Sequence, residues 1–335
     1  MPQTPPQIAI VIPYYQRRAG LLRQCVHSVL EQPGEIRFRV IVVDDGSPVP
    51  AAAEVAPLLP RFGDHRIQVV LQRNAGPGAA RNTGLDHVPA GTPLVTFLDS
   101  DDHWTGPFLE DAVTALGQGY DLFIGNSTRT GQEKTRFEWE ADKGLDLQAT
   151  RHPILDPERG IHEYHGDFFD LLVRRTSLIG PTTFAYRFEK FPQVRFDPGI
   201  YNGQDRLFKL TLGQDLERVA FSPRIYAHEG EGVNIFDKAQ WGSEGSLRLV
   251  CSYIRLARRV RERIRLTPEQ EAFVQGQLDE ARQGFVATLL HLLRRRMPVD
   301  WPRVLATLRE DPALLALLPV NLARVVLARR SSHEA

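Results

Sequence analysis

Leu94-Val95-Thr96-Phe97-Leu98-Asp99-Ser100-Asp101-Asp102 sets a short apolar run directly against an acidic tetrad. A run of this length, rich in β-branched and aromatic residues and closed by charges, reads as a buried parallel strand. Upstream, Ile8 to Ile12, Phe38 to Val43 and Ile67 to Leu71 have the same character, and Leu122 to Ile124 follows downstream. Between these runs, Leu21 to Leu30, Ala51 to Leu59, Gly78 to His87 and Pro107 to Leu116 carry apolar residues at helical spacing. A repeated βα unit of this kind predicts an α/β fold with a doubly wound, mostly parallel, Rossmann-like sheet over the first 125 residues.

Such sheets bind ligands at the carboxyl ends of their strands. Each predicted strand here runs into a chemically distinctive loop: Pro13-Tyr14-Tyr15, Asp44-Asp45-Gly46-Ser47, Asn74-Ala75-Gly76-Pro77-Gly78, and the tetrad. Three carboxylates within four residues repel one another, and a cation relieves that repulsion. Hard oxygen ligands suit Mg²⁺ or Mn²⁺ completed by substrate phosphates, so the natural partner of Asp99, Asp101 and Asp102 is a diphosphate. The bland alternative is a solvated acidic turn capping the helix near Pro107. Asp44 and Asp45 supply carboxylates able to accept from a base imide or from ribose hydroxyls, or merely form a turn. The small residues from Asn74 to Ala80 place a helix start where backbone N–H groups favour phosphate, with Arg81 one turn in.

The chain has 335 residues, 42% hydrophobic and 24% charged, an ordinary globular composition. Its 41 basic and 41 acidic residues cancel, which gives no reason to expect nucleic acid as a partner. The balance is uneven: from Trp241 to Ala335 there are 16 Arg and no Lys against 10 acids. Cys25 and Cys251 are too few for a disulfide framework, so a reducing cytoplasm is the expected compartment. Met1 to Gln7 predicts no signal peptide, and Ala313 to Ala328, broken by Pro319, Asn321 and Arg324, predicts no membrane span.

From Asn126 to about Asp215 the pattern is irregular, with a short strand expected at Phe168 to Val173. After Trp241 it turns helical, with Leu247, Val250, Ile254, Ala257 and Ile264 on one face and Arg248, Arg255 and Arg259 opposite. The expected division is a domain over residues 1–240, made of a nucleotide-binding half (1–125) and an acceptor-side half (126–240), then a helical extension over 241–335. The Arg-faced segment from Arg255 to Arg265, with Arg294-Arg295-Arg296, suggests peripheral contact with a membrane's inner face; a solvated face is the alternative.

Ile10 to Tyr15, Val42 to Ser47, Asn74 to Leu85 and Phe97 to Asp102, in this order and spacing, resemble the family 2 glycosyltransferases of the GT-A fold, a resemblance covering residues 8 to about 235. It implies inverting transfer of a sugar from a nucleoside diphosphate donor, commonly UDP-linked, to a glycan or lipid-linked hydroxyl acceptor. It also implies that Pro13, Tyr15 and Asp45 contact base and ribose, that Arg81 lies nearby, and that Asp99 and Asp101 engage ribose, diphosphate and metal. Asp102 joins this donor-binding set. Gln16 stands where the family has Asn, and its longer amide is expected to cap the following helix. Gly203-Gln204-Asp205-Arg206-Leu207-Phe208 stands where the family has a Glu-Asp pair, with the Asp kept. By this resemblance Asp205 is the general base that takes the acceptor proton, although an N-cap role is compatible with the same position. His228 is the candidate third metal ligand beside Asp99 and Asp101, or else a packing residue. A nucleotidyltransferase and a non-catalytic sugar-nucleotide-binding protein of the same fold are the alternatives. The first would need a basic phosphate-gripping loop that Pro13-Tyr14-Tyr15-Gln16 does not offer.

Overall fold

The computed structural model describes residues 5–62, 66–139, 141, 146–230, 243–317 and 319–320. The chain forms two compact units: Met1–Pro198 with Thr211–Val233, and Gly199–Leu210 with Asn234–Ala335.

The first unit begins with the βα repeats expected from the sequence: β1 (Ile8–Tyr14), α1 (Leu21–Leu30), β2 (Phe38–Asp44), α2 (Ala51–Val55), α3 (Leu59–Phe62), β3 (Ile67–Leu71), α4 (Pro77–Asp86) and β4 (Leu94–Phe97). β5 (His103–Trp104), α5 (Phe108–Gly117), β6 (Leu122–Arg129), β7 (Ile154–Asp156), β8 (Ile161–Glu163), α6 (Phe168–Arg175) and β9 (Phe184–Arg187) follow. After α7 (Gln204–Gly213), β10 (Val219–Glu229) completes it. Among the described residues the sheet order is β3-β2-β1-β4-β9-β6-β10-β8-β7, with β5 paired to β10.

The strands β3, β2, β1 and β4 are parallel, as their apolar character predicts. Beyond β4 the sheet becomes mixed, with β9 running antiparallel between β4 and β6. Phe184, Ala185 and Tyr186 are fully enclosed there, yet a four-residue strand is too short to show a period in the sequence. The strand expected at Phe168 to Val173 is instead helix α6. Asp167 Oδ1 accepts from Asp170 N at 2.8 Å at its start, and Phe168, Leu172, Val173 and Arg175 form its buried face.

The second unit holds α8 (Glu244–Arg263), α9 (Pro268–Arg294), α10 (Trp301–Glu310) and α11 (Ala313–Ala316). The capping box of Thr267 with Gln270 starts α9, and Asp300 caps α10 by accepting from Arg303 N at 3.1 Å. The segment Gly199–Leu210, which lies before the expected boundary at residue 240, groups with these helices. Asn202 and Ser252 exchange hydrogen bonds of 2.9 and 3.1 Å, Arg255 Nη1 donates to Gly199 O at 2.6 Å, and Arg206 Nη2 donates to Gln277 Oε1 at 2.7 Å. Gly203, at φ 84°, lies so close to α8 that a Cβ would stand 2.5 Å from Leu256 Cδ2. No helix among the described residues is long and apolar enough to cross a membrane.

Candidate active site

Parallel pairing of β3, β2, β1 and β4 puts their carboxyl ends on one edge, so the four loops singled out in the sequence share that edge. Backbone bonds tie them together: Asp45 N donates to Tyr14 O at 2.9 Å and Gln72 N to Asp44 O at 2.9 Å. Pro13 is buried and Tyr15 half-buried.

The two aspartates after β2 separate by role. Asp44 accepts from Ser47 N and Ala51 N, each at 2.8 Å, so it closes the turn and starts α2. Asp45 reaches across to the loop before α4: Oδ1 accepts from Gln72 Nε2 and Ala75 N, both at 2.7 Å, and Oδ2 from Gly76 N at 2.8 Å. A carboxylate offers about four lone-pair sites, so Oδ2 retains one. That loop feeds α4, whose first turn has Pro77 and no side-chain cap.

Arg81 is 4% exposed and its Nη2 donates to Asp99 Oδ1, while its guanidinium lies 5.3 Å from the Phe196 ring centroid. Its Nε and Nη1 are enclosed and meet no hydrogen-bond partner among the described residues. Asp99 is 32% exposed and so remains open to a ligand on its other side. Gln16 does not cap α1, whose N-cap is Gly20 without side-chain help. Its Nε2 donates instead to Ser100 Oγ at 3.2 Å, stitching the β1 loop to the tetrad.

Within the tetrad the aspartates diverge. Asp102, expected among the donor-binding residues, turns inward at 7% exposure: Oδ2 accepts from Thr182 Oγ1 and Oδ1 from Gly230 N at 3.0 Å. Burial first, then the nearby charges of Asp101, Asp99 and Glu229, push its carboxyl well above the ordinary range. A carboxylate whose two oxygens are already held inside the protein is a framework group. Asp101 is half-buried, and its carbonyl lies 2.2 Å from where a Cβ on Gly230 would stand, so β10's end closes directly on the tetrad backbone.

His228, the candidate third ligand beside Asp99 and Asp101, sits between two threonines. Its Nδ1 lies 3.1 Å from Thr128 Oγ1 and its Nε2 3.0 Å from Thr130 Oγ1, so both ring nitrogens have hydroxyl partners. Among the described residues no three His, Cys, Asp or Glu side chains converge on a common point. Asp205 lies in the second unit, in the first turn of α7, 32% exposed, with Lys209 Nζ 3.1 Å from its Oδ2. The helix N-terminus and the ammonium both put positive charge beside it.

Sequence reasoning missed the framework around these groups. Arg136 Nε donates to Glu229 Oε1 at 2.6 Å, its Nη2 donates to Oε2, and its Nη1 donates to Ser177 O at 2.7 Å. Ser127 Oγ adds a bond to Glu229 Oε1 at 2.7 Å. Only the position of Glu229, next to His228 and Gly230, hinted at this network.

The family model described as glycosyl transferase family 2 matches residues 9–191. The succinoglycan biosynthesis protein ExoW of Rhizobium meliloti (strain 1021) is 29% identical over 310 residues, 92% of this chain and 95% of that protein. The minor teichoic acid biosynthesis protein GgaA of Bacillus subtilis (strain 168) is 34% identical over 172 residues, 48% of this chain and 36% of its own length. Among solved structures, the mannosyltransferase PcManGT from Pyrobaculum calidifontis, in complex with GDP-Man and Mn²⁺, superposes with a TM-score of 0.56 at 16% identity, over 97% of this chain and 84% of that one. S. aureus TarS 1–349 with UDP-GlcNAc gives 0.53 at 18% identity, over 86% and 73%. With a parallel β-sheet edge that gathers Asp45, Arg81 and Asp99, and a family match spanning more than half its length, the chain belongs to glycosyl transferase family 2.

Proposed function

We propose that this glycosyltransferase is inverting and moves a sugar from a UDP-linked donor to a hydroxyl of a glycan or lipid-linked glycan acceptor. The observation that carries the donor site is the Arg81–Asp99 pair: an enclosed guanidinium with two unbonded nitrogens beside a carboxylate that is one-third exposed. Bringing anionic oxygens of the donor to that end of the crevice answers the deficit. The free lone pair of Asp45 Oδ2 accepts from the base, Pro13 and Tyr15 flank base and ribose, and the uncapped start of α4 faces phosphate.

Asp99 and Asp101 are hard oxygen donors of the kind that hold Mn²⁺ or Mg²⁺ together with a diphosphate, and the cation neutralises charge on the leaving group. Asp102 keeps the tetrad backbone in place through Thr182 and Gly230. Asp205 takes the acceptor proton as the oxygen attacks C1 from the face opposite the diphosphate. The similarity to ExoW supports a polymer-building role. TarS bound to UDP-GlcNAc supports uridine, and PcManGT bound to GDP-Man makes guanosine the competing base.

The test is nucleoside diphosphate release from a panel of UDP- and GDP-sugars with Mn²⁺, with and without chelator. Release from UDP-sugars that chelator suppresses is expected. In Asp205→Asn, turnover should fall by about 10³-fold while UDP affinity stays within about twofold. A variant that kept its turnover would place the base elsewhere.

A further inference from the structure

The arginines of the second unit divide into two groups that the sequence does not distinguish. Four of those on α8 pair with acids inside the unit. Arg255 bonds Glu310 at 2.8 and 2.6 Å, Arg258 bonds Glu262 and Asp311, Arg259 bonds Glu262 at 3.0 Å, and Arg261 bonds Glu271 at 2.5 Å. Arg282 is likewise held by Asp311 at 2.7 and 2.8 Å. Arg255, Arg258, Arg259 and Arg261 thus have acidic partners within the unit. Arg294, Arg295 and Arg296, at the end of α9, and Arg309 on α10 are all exposed, and none pairs with an acid among the described residues.

Apolar exposure concentrates in the same stretch. Of the ten exposed large apolar side chains among the described residues, five fall between Leu293 and Val320: Leu293 (47%), Trp301 (50%), Leu305 (50%), Leu315 (54%) and Val320 (46%). Trp301 and Leu305 are one turn apart on α10, whose inner face is Val304 and Thr307. Exposed Trp and Leu beside cations of one sign are the chemistry of a helix lying in a bilayer interface. A second copy of the chain fits poorly, since a two-fold contact would set this patch against itself and oppose arginine to arginine.

We propose that the end of α9 together with α10 is a docking surface for a bilayer carrying anionic headgroups. Trp301, Leu305 and Leu293 enter the interfacial layer, and Arg294, Arg295 and Arg296 meet headgroup phosphates. Neither element spans the membrane, and the proposal stands independently of which donor and acceptor the enzyme uses.

Sedimentation of the full chain with vesicles of phosphatidylcholine, with and without 30% phosphatidylserine, tests it. Binding is expected only to the anionic vesicles and is expected to fall with salt. Arg294→Ser with Arg295→Ser should lower the partition coefficient about 30-fold, whereas Arg37→Ser with Arg151→Ser, exposed arginines of the first unit, should leave it within about twofold. Trp301→Ser with Leu305→Ser should weaken binding comparably, and thermal melts of every variant should match the parent because the sites are exposed. Equal binding to both vesicle types overturns the proposal, as does binding that ignores the Trp301 and Leu305 changes. So does a concentration-dependent dimer in sedimentation velocity that Trp301→Ser dissociates, which would give the patch to a second copy.

Discussion

Arg81 and Arg136 are both guanidiniums folded into the first unit against a carboxylate, and they are partnered in opposite ways. All three nitrogens of Arg136 are bonded, two to Glu229 and one to the Ser177 carbonyl. Arg81 bonds through one nitrogen and leaves two enclosed without a partner among the described residues. Glu229 is itself buried and closed off by Ser127, whereas Asp99 is one-third open. A satisfied network fixes the backbone around the tetrad, while an unsatisfied one stores a demand for partners that a ligand can meet. Both guanidiniums are largely enclosed, Arg81 at 4% exposure and Arg136 at 11%, so the contrast comes from their local partners and not from their own depth in the fold.

Arg136→Met should cost the most. It strands Glu229 as an uncompensated buried charge, so unfolding free energy is expected to drop by about 3–5 kcal/mol, read as a lower urea midpoint at unchanged slope. A midpoint that stayed put would mean the pair is solvated and the contrast with Arg81 is false. Arg81→Met should show the reverse pattern: stability within about 1 kcal/mol of the parent, because two of the guanidinium's three nitrogens meet no partner among the described residues, and kcat/KM for the donor reduced about 100-fold or more. If Arg81→Met unfolded easily yet turned over normally, Arg81 would belong with Arg136 in the framework.

The half of the sheet that carries the loops after β1 to β4 was legible because buried parallel strands are continuous apolar runs and their connecting helices keep a 3.6 period. Ile8, Ile10, Ile12, Val40 and Val42, all fully enclosed, are residues of that kind. β9 was not legible, since its pairing depends on partners about 60 and 90 residues upstream. At the site, the sequence identified the acidic tetrad but could not show that Asp102 faces Thr182 while Asp99 faces Arg81. Both follow the same strand, and a turn of backbone decides which carboxylate looks inward. The placement of Asp205 with the helices was equally hidden, because it rests on Gly203 meeting Leu256 and Asn202 meeting Ser252. The paired and unpaired arginines after residue 241 look alike in sequence because some of the pairing acids, such as Glu310 for Arg255 and Glu271 for Arg261, arrive from other helices.

Asp111 extends the contrast to a carboxylate with intermediate support and gives the smallest effect. It is 1% exposed on α5, accepts from the Tyr226 hydroxyl at 2.7 Å, and has Arg159 and Arg224 at 3.3 and 3.7 Å. Burial outweighs the hydrogen bond and the two arginines, and holds the carboxyl above its usual range. The folded chain therefore keeps this proton at pH values where the unfolded chain, titrating near pH 4, has lost it. With more protons bound in the folded state, stability from this group falls as pH rises from about 4 through the folded pKa and stays lower above it. Asp111→Asn removes the titration, and its amide oxygen still accepts from Tyr226. The difference in unfolding free energy between variant and parent should then move in the variant's favour as pH rises from 4 to 7, measured by urea titration at each pH. Movement in the parent's favour would mean that Arg159 and Arg224 hold Asp111 as firmly as Arg136 holds Glu229. Burial would then not be what separates a satisfied charge from an unsatisfied one in this unit.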